Sequence, residues 1–473
     1  MLFNSINFTI FLPFVFLLYW FTTKGSLRLQ NILLLVSSYF FYACWDWRFL
    51  FLLIFSTLLD YFTGIKMSNS KNQNIKKIWF LISVIINLGL LGFFKYYNFF
   101  IDSLTVLLTE LGLKPNIYTL QIILPVGISF YTFHGLSYVI DIYRNRIKAE
   151  KKFIEYSVFV CFFPLLVAGP IERATHLLPQ VKSKRIFSNK MFNEGVLQIV
   201  VGLFRKIVIA DSLAKYVDMA FGNPEIYNSS TLILATVFYA FQIYYDFSGY
   251  SDIAIGTAKL FGFSLLQNFR LPYFSTSITE FWRKWHMSLS FWLRDYLYIE
   301  LGGNRFGIFK TYRNLFLTML LGGLWHGSNW TFVVWGGIHG LFLSIEKYLN
   351  SNLSFKFLKK VSFLGYIYTF IVVCLSWVYF RSSDINSANL IVSTIFKGNF
   401  EKPFIGDISV VMNSVVVLLI GFLFDLYLRI SNQELENFGG KLTLPKLIFF
   451  ISISLILISL FYSNSNNFIY FQF

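Results

Sequence analysis

Residues 244–252 read Tyr244-Tyr245-Asp246-Phe247-Ser248-Gly249-Tyr250-Ser251-Asp252, at the end of an apolar run that begins at Thr231. Two carboxylates in a segment apolar enough to lie at membrane depth are costly unless they face a protein-lined or water-filled cavity. The next seventy residues repeat the pattern, with Phe281-Trp282-Arg283-Lys284-Trp285-His286 and then Arg294-Asp295-Tyr296. Broken, glycine-containing backbone at that depth carries the same implication, because lipid cannot satisfy free amides. The stretch therefore predicts a polar pathway inside a membrane protein.

Composition agrees. Charged residues are 14% of the 473, against about 25% in a typical soluble domain. Phe, Tyr and Trp together make up 21% of the chain, more rings than a soluble interior of this length can hold beside its Leu and Ile. Disorder is excluded on the same grounds. Apolar runs long enough to cross a bilayer fall near 6–21, 29–45, 48–65, 78–100, 120–142, 196–218, 231–247, 361–380, 409–429 and 446–463. Region 314–346 has room for two helices, with Gly322-Gly323 and Gly327-Ser328-Asn329 as the expected break, and 153–170, which contains Pro164 and Gly169-Pro170, reads as re-entrant. The expectation is an all-α polytopic membrane protein of roughly ten to twelve transmembrane or re-entrant helices around a buried polar tunnel. The run from Ile6 to Phe21 lacks a basic leader and a small-residue cleavage site, and reads as a retained span.

The net charge of +16 is spread in short basic clusters between apolar runs, the pattern of cytoplasmic loops and not of a nucleic-acid surface. Loops 22–28, 66–77 and 143–152 carry Lys24, Arg28, Lys66, Lys71, Lys76, Lys77, Arg144, Arg146, Lys148, Lys151 and Lys152, whereas 101–119 and 219–230 are poor in positive charge. The basic stretch Lys347 to Lys360 falls on the same side. Both termini are then expected outside, and the polar pathway opens to the cytoplasm. Cys44, Cys161 and Cys374 lie in apolar stretches without CxxC spacing and read as small buried hydrophobes.

Chemistry narrows to histidine. No HExxH or HxxxH zinc spacing, GxSxG elbow, P-loop or GxGxxG fingerprint is present, and no metal is expected. Of the five histidines, His176 sits in a basic loop, while His134 and His339 read as packing residues. His286 and His326 each follow a Trp in a motif dense in charge or glycine. With no cofactor signature, a neutral imidazole acting as general base is the natural remaining catalyst. Asp246, Asp252, Arg294 and Asp295 read as structural pairs that steady the region.

These motifs carry a resemblance. Phe281-Trp282-Arg283-Lys284-Trp285-His286-Met287-Ser288-Leu289-Ser290, followed by Trp292-Leu293-Arg294-Asp295-Tyr296-Leu297-Tyr298-Ile299, resembles the signature of the membrane-bound O-acyltransferase family, and Gly323-Leu324-Trp325-His326-Gly327 looks like the site of its invariant histidine. Leu301-Gly302-Gly303-Asn304-Arg305, Pro125 to Phe133 and Ala168-Gly169-Pro170-Ile171 are similar to the bacterial alginate O-acetyltransferase-like branch. Glu300 departs from it, where Pro is common, which bears on local loop geometry.

The resemblance implies one integral-membrane domain over 1–473, a catalytic core region at 244–346 and an extracytoplasmic aromatic tail at 464–473. It implies His326 as base with His286 as its partner, and no bound cofactor. Acetyl-CoA would be the cytoplasmic donor, with Arg283 and Lys284 as contacts for its phosphates; anchoring on the basic side explains that pair equally. Tyr470, in Phe468-Ile469-Tyr470-Phe471-Gln472-Phe473, resembles a terminal acyl-accepting tyrosine, beside the plainer reading of an interfacial anchor. The implied acceptor is a cell-envelope polysaccharide such as alginate, peptidoglycan or another exopolymer, reached with a secreted or membrane-anchored esterase-like partner at the bacterial cytoplasmic membrane. D-alanyl transfer to teichoic acid is the alternative chemistry, and a transporter or flippase the alternative of another class.

Overall fold

A computed structural model describes residues 1–23, 25–113, 120, 122–352, 362–462 and 468–469. Among these the secondary structure is helical, with no strand. Lys24, Lys114, the basic residues of 353–360 and Tyr470 lie outside the described residues. The chain divides into two compact units: Met1–Leu2, Ile6–Phe187 and Phe261–Leu265 form the first, and Phe3–Ser5, Ser188–Leu260 and Leu266–Phe473 the second.

In the first unit, α1 (Ile6–Leu17), α2 (Leu27–Asn69) and α3 (Gln73–Glu110) are followed by α4 (Ile128–Tyr143), α5 (Phe153–Cys161) and α6 (Ala174–Lys182). The start of α3 is set by Asn72, whose side-chain oxygen accepts from the Asn74 amide at 2.8 Å and so satisfies one donor the first turn leaves open. The two runs expected at 29–45 and 48–65 lie within α2 as two helical stretches that meet at a kink, where Asp46 adopts non-helical φ −157° and ψ 111°. The Asp46 carboxylate is held by Arg48 at 2.6 Å. Buried Asp60 of α2 accepts from Ser83 at 2.6 Å and Asn87 at 2.7 Å, so its lone pairs are met by α3.

The expected re-entrant stretch is a short α5 followed by a buried 3₁₀ turn at Phe163–Leu165. Its amides find side-chain acceptors: Phe163 donates to Ser38 at 3.0 Å and Glu172 to His134 Nε2 at 3.1 Å. His134 is thus a packing residue with a structural bond. His176 pairs with Glu172 at 2.7 Å, and that hydrogen bond raises its pKa above the usual imidazole value. Cys161 is buried as expected, but Cys44 is exposed, because it lies on an outward face of α2.

In the second unit, α7 (Asn189–Leu203) runs through a π-helical stretch, Phe204–Ala210, into α8 (Asp211–Gly222), and α9 (Ser229–Leu260) packs on it. The short helices α10 (Ile278–Lys284) and α11 (Met287–Leu293) precede α12 (Ile308–His326) and α13 (Trp330–Asn352). Then come α14 (Ser362–Arg381), α15 (Ile385–Lys397), α16 (Ile408–Ile430) and α17 (Leu444–Phe461). The α12/α13 break falls at Gly327-Ser328-Asn329, while Gly322 and Gly323 stay inside α12. The core centres on Trp285, Trp335 and Trp377, each fully buried.

Among the described helices, α2, α3, α14, α16 and α17 are long and apolar enough to cross a membrane. Exposed Ile85, Leu88 and Phe100 on α3, and Leu419, Leu423 and Ile430 on α16, give the apolar outer surface such helices need toward lipid. The other expected spans, such as α9, carry their polar and charged groups buried among protein neighbours, so apolarity alone no longer marks them as spans.

The α7/α9 crossing depends on two glycine pairs. A Cβ on Gly202 would lie 2.6 Å from the Gly249 carbonyl oxygen, and one on Gly249 2.7 Å from that of Gly202. Gly195 and Gly256 meet reciprocally at 2.7 and 2.6 Å. The seven-residue spacing on both helices puts both contacts on one seam, the close approach that small residues permit in membrane bundles. We expect Gly249→Ala to destabilise the solubilised protein by about 1–3 kcal/mol through overpacking. Gly222→Ala, whose Cβ meets nothing within 4 Å, should leave thermal unfolding within about 0.5 kcal/mol of wild type.

Candidate functional site

Because α7 and α9 meet through glycine, the π-helical stretch after α7 lies directly against α9. Its wider turn brings the consecutive residues Arg205 and Lys206 both inward, where they are buried. Arg205 donates to Asp252 at 2.7 Å and to Asp425 of α16 at 2.9 Å, and Gln198 adds a bond to Asp252 at 3.1 Å. Lys206 lies 2.6 Å from Asp246 and 2.8 Å from Asp211. The two carboxylates of the 244–252 stretch are therefore paired, but with cations from residues 205 and 206 and not within their own region. Arg294 and Asp295 do pair with each other, at 2.6 Å and largely at the surface. The sequence signal for Arg205 and Lys206 was present as a charged doublet interrupting an apolar run.

His286 occupies the turn between α10 and α11. It is 0% exposed and has φ 41° and ψ 54°, left-handed backbone that a residue with a Cβ adopts at a cost of about 1–2 kcal/mol. Such a conformation persists where surroundings over-determine it. Here Asn268 does so: its carbonyl accepts from the Met287 amide at 2.9 Å, and its side chain accepts from Ser288 at 2.6 Å and donates to Ser251 of α9 at 3.0 Å. The Trp285 amide closes α10 on the Phe281 carbonyl at 2.8 Å, and Ser290 opens α11 on the His286 carbonyl at 2.9 Å. Asn268 and Ser251 were not singled out from sequence, since an Asn in a loop and a Ser in a helix carry no distinctive pattern.

His326 ends α12 and is 4% exposed. Gly327 follows because a Cβ there would overlap the Phe332 ring. The His326 ring lies edge-on to Trp335 and Phe380, with centroids 5.0 and 5.5 Å away, and 6.3 Å from the His286 ring. Phe247 of α9 meets His286 edge-on at 4.6 Å. Two histidines forty residues apart thus share one aromatic-walled interior. His339 is different: its Nδ1 accepts from Trp282 at 3.2 Å and its Nε2 meets Ser376 at 3.0 Å, so both ring nitrogens hold the core together.

Of the two cations beside His286, Lys284 pairs with Glu280 at 2.7 Å and donates to the Phe274 carbonyl at 2.9 Å. Arg283 is exposed, without a hydrogen bond or ion pair among the described residues. A cleft lined by Arg205, Asp252, Asn268, Arg270, Gln433 and Glu434 reaches the Asn268 brace behind His286. Among the described residues no group of three or more His, Cys, Asp or Glu side chains converges as a metal site. Tyr470 lies outside the described residues, but Phe468 and Ile469 just before it are buried in this unit: the Ile469 amide donates to Asp246 at 2.8 Å.

A family model described as membrane-bound O-acyltransferase matches residues 144–388, which include both histidines. Among similar proteins, a probable alginate O-acetylase of Pseudomonas putida is 42% identical over 418 residues, covering 88% of this chain and 84% of its own. A peptidoglycan O-acetyltransferase of Helicobacter pylori is 37% identical, covering 82% of this chain and 78% of its own. A teichoic acid D-alanyltransferase of Bacillus subtilis is 27% identical over 54% of this chain and 68% of its own.

Removing one member of a buried charge network strands the others. Arg205→Met leaves Asp252 and Asp425 without their shared cation and is expected to cost about 3–5 kcal/mol. Arg294→Gln, at an exposed pair, should cost no more than about 1 kcal/mol. Thermal denaturation of the two purified variants against wild type checks the contrast.

Proposed function

The chain belongs to the membrane-bound O-acyltransferase family, and from that membership we propose that it carries acetyl groups from acetyl-CoA on the cytoplasmic side to hydroxyls of a cell-envelope polysaccharide. It is an integral membrane O-acyltransferase. The observation that supports the catalytic assignment is the meeting of His286 and His326, 6.3 Å apart between ring centroids, inside one buried aromatic wall. The most similar relatives named above act on alginate and on peptidoglycan, which favours acetyl transfer to an envelope polymer. The D-alanyl alternative rests on lower identity over about half the chain. A transporter or flippase would share none of these relatives' bond-making chemistry.

In this reading His326 accepts the proton of the acceptor hydroxyl as its oxygen attacks the thioester carbonyl. The tetrahedral intermediate collapses, the carbon–sulfur bond breaks, and the departing thiol recovers the proton from the imidazolium. His286, fixed by its strained turn, lines the path beside it. Arg283, exposed near that turn, is the better placed of the two cations to meet a donor phosphate, since Lys284 is engaged by Glu280.

Tyr470 is proposed as the first acceptor. A thiol has pKa near 8.5 and a phenol near 10, so thioester to tyrosyl ester is an easy transfer, and a sugar hydroxyl is a poorer leaving group still. Taking a phenolic proton with an imidazole of ordinary pKa is uphill by roughly 3.5 units, about 5 kcal/mol. That is far less than for an aliphatic alcohol. Burial of Phe468 and Ile469 supports a tail that enters the protein, as opposed to one that only anchors at the interface. A secreted or membrane-anchored esterase-like partner would collect the group outside, with both termini on that face of the cytoplasmic membrane.

His326→Ala, inserted normally, is expected to lower envelope acetylation by about 10²–10⁴-fold, the usual contribution of a positioned general base. Full acetylation by that variant would overturn the assignment. Inside-out vesicles should consume added acetyl-CoA and sealed right-side-out vesicles should not. Tyr470→Phe keeps the ring but removes the acceptor oxygen; wild-type polymer acetylation by that variant would reduce the tail to an anchor.

A further inference from the structure

One helical turn of α9 grips two consecutive residues of the C-terminal tail. Asp246 and Tyr250, four residues apart, lie on one face of the helix. Asp246 Oδ2 accepts the Ile469 amide at 2.8 Å, and the Phe468 ring stacks on Tyr250 with centroids 4.1 Å apart. Tyr250 is itself fixed by its hydroxyl bond to Asn4 at 2.8 Å. Phe247, on the same turn, touches Phe468 at 5.8 Å on one side and His286 at 4.6 Å on the other.

The sharing of one cation makes the amide more than incidental. Lys206 is divided between Asp246 and Asp211, so Asp246 does not have it to itself. A carboxylate offers about four lone-pair sites, and Lys206 meets the Asp246 oxygen that the tail does not. A backbone N–H supplied to Oδ2 is a charge-assisted bond in a dry site, the stronger kind. It also recognises the main chain, and so sets the register of the Phe468-Ile469 segment.

We propose that Asp246, oriented by Lys206, is the docking acceptor for the C-terminal tail, a positioning residue that holds the Phe468-Ile469 backbone one aromatic ring away from His286. Its consequence for catalysis rests on the acyl-tyrosine reading above; the docking itself does not. The tail is in effect an intramolecular peptide ligand, held by its backbone at 469 and by its ring at 468.

The test labels the tail directly. Ile469→Cys keeps the amide, and Cys44→Ser removes the exposed native thiol, leaving Cys161 and Cys374 buried. In the solubilised full-length protein a polar maleimide should modify Cys at 469 slowly, and at least tenfold faster once Asp246→Ala is added. Slow labelling in that double variant overturns the proposal. His326→Ala and Tyr470→Phe should leave the labelling slow, because neither removes the dock. Should Asp246→Ala insert poorly, Ile469→Pro carries the test, since it deletes only the N–H while Ile469→Val keeps it. Labelling of a Cys placed at the buried position Phe468 should then quicken for Pro and not for Val, and equal rates overturn the dock. Polymer acetylation separates the two readings. If Tyr470→Phe acetylates at the wild-type rate while Asp246→Ala still frees the tail, the carrier role fails and the dock stands. If both hold, Ile469→Pro lowers kcat at least tenfold with KM for acetyl-CoA unchanged.

Discussion

Two buried cations, each shared between two carboxylates, organise the second unit. Arg205 ties Asp252 of α9 to Asp425 of α16, and Lys206 ties Asp246 of α9 to Asp211 of α8. Pairs of this kind are not cheap sources of stability, since desolvation offsets much of the attraction. Their effect is on specificity: helices that would slide past one another on apolar contacts alone are fixed in register by charge pairs buried between them. The glycine seam between α7 and α9 makes the arrangement possible, because any side chain there would hold the cations away from α9.

From that frame the site follows by short links. Ser251 of α9 holds Asn268, Asn268 holds the turn at His286, and the turn aims the imidazole at the interior where α12 ends in His326. The left-handed backbone of His286 is a local cost met by bonds on both sides. Both candidate histidines therefore come from chain breaks, one between α10 and α11 and one between α12 and α13, where backbone geometry is free to present them.

Family membership and chemistry bear on different parts of this picture. The matched region 144–388 contains both histidines, whereas Asp425 and the tail residues Phe468 and Ile469 lie beyond it. The dock at Asp246 consequently joins residues inside the family region to Phe468 and Ile469 outside it, and places those two residues in the second unit.

Much of this was legible in the sequence, for reasons that are local. Low charge, long apolar runs and an excess of rings demand a membrane protein, and Trp285-His286 and Trp325-His326 stood out because so little else in the chain can do chemistry. Helix breaks with a stereochemical cause, such as Gly327-Ser328-Asn329, were also readable. What depends on partners far along the chain was not. The sequence showed that Asp246 and Asp252 needed cations but not that residues 205 and 206 supply them. It offered two breaks for 314–346, since a glycine pair in a helix is tolerated or not according to what packs against it. The 6.3 Å approach of His286 to His326 and the capture of Ile469 by Asp246 belong to the tertiary structure alone. Each requires segments forty or more residues apart to converge, and the energy of that convergence resides in burial and pairing, which no local pattern encodes.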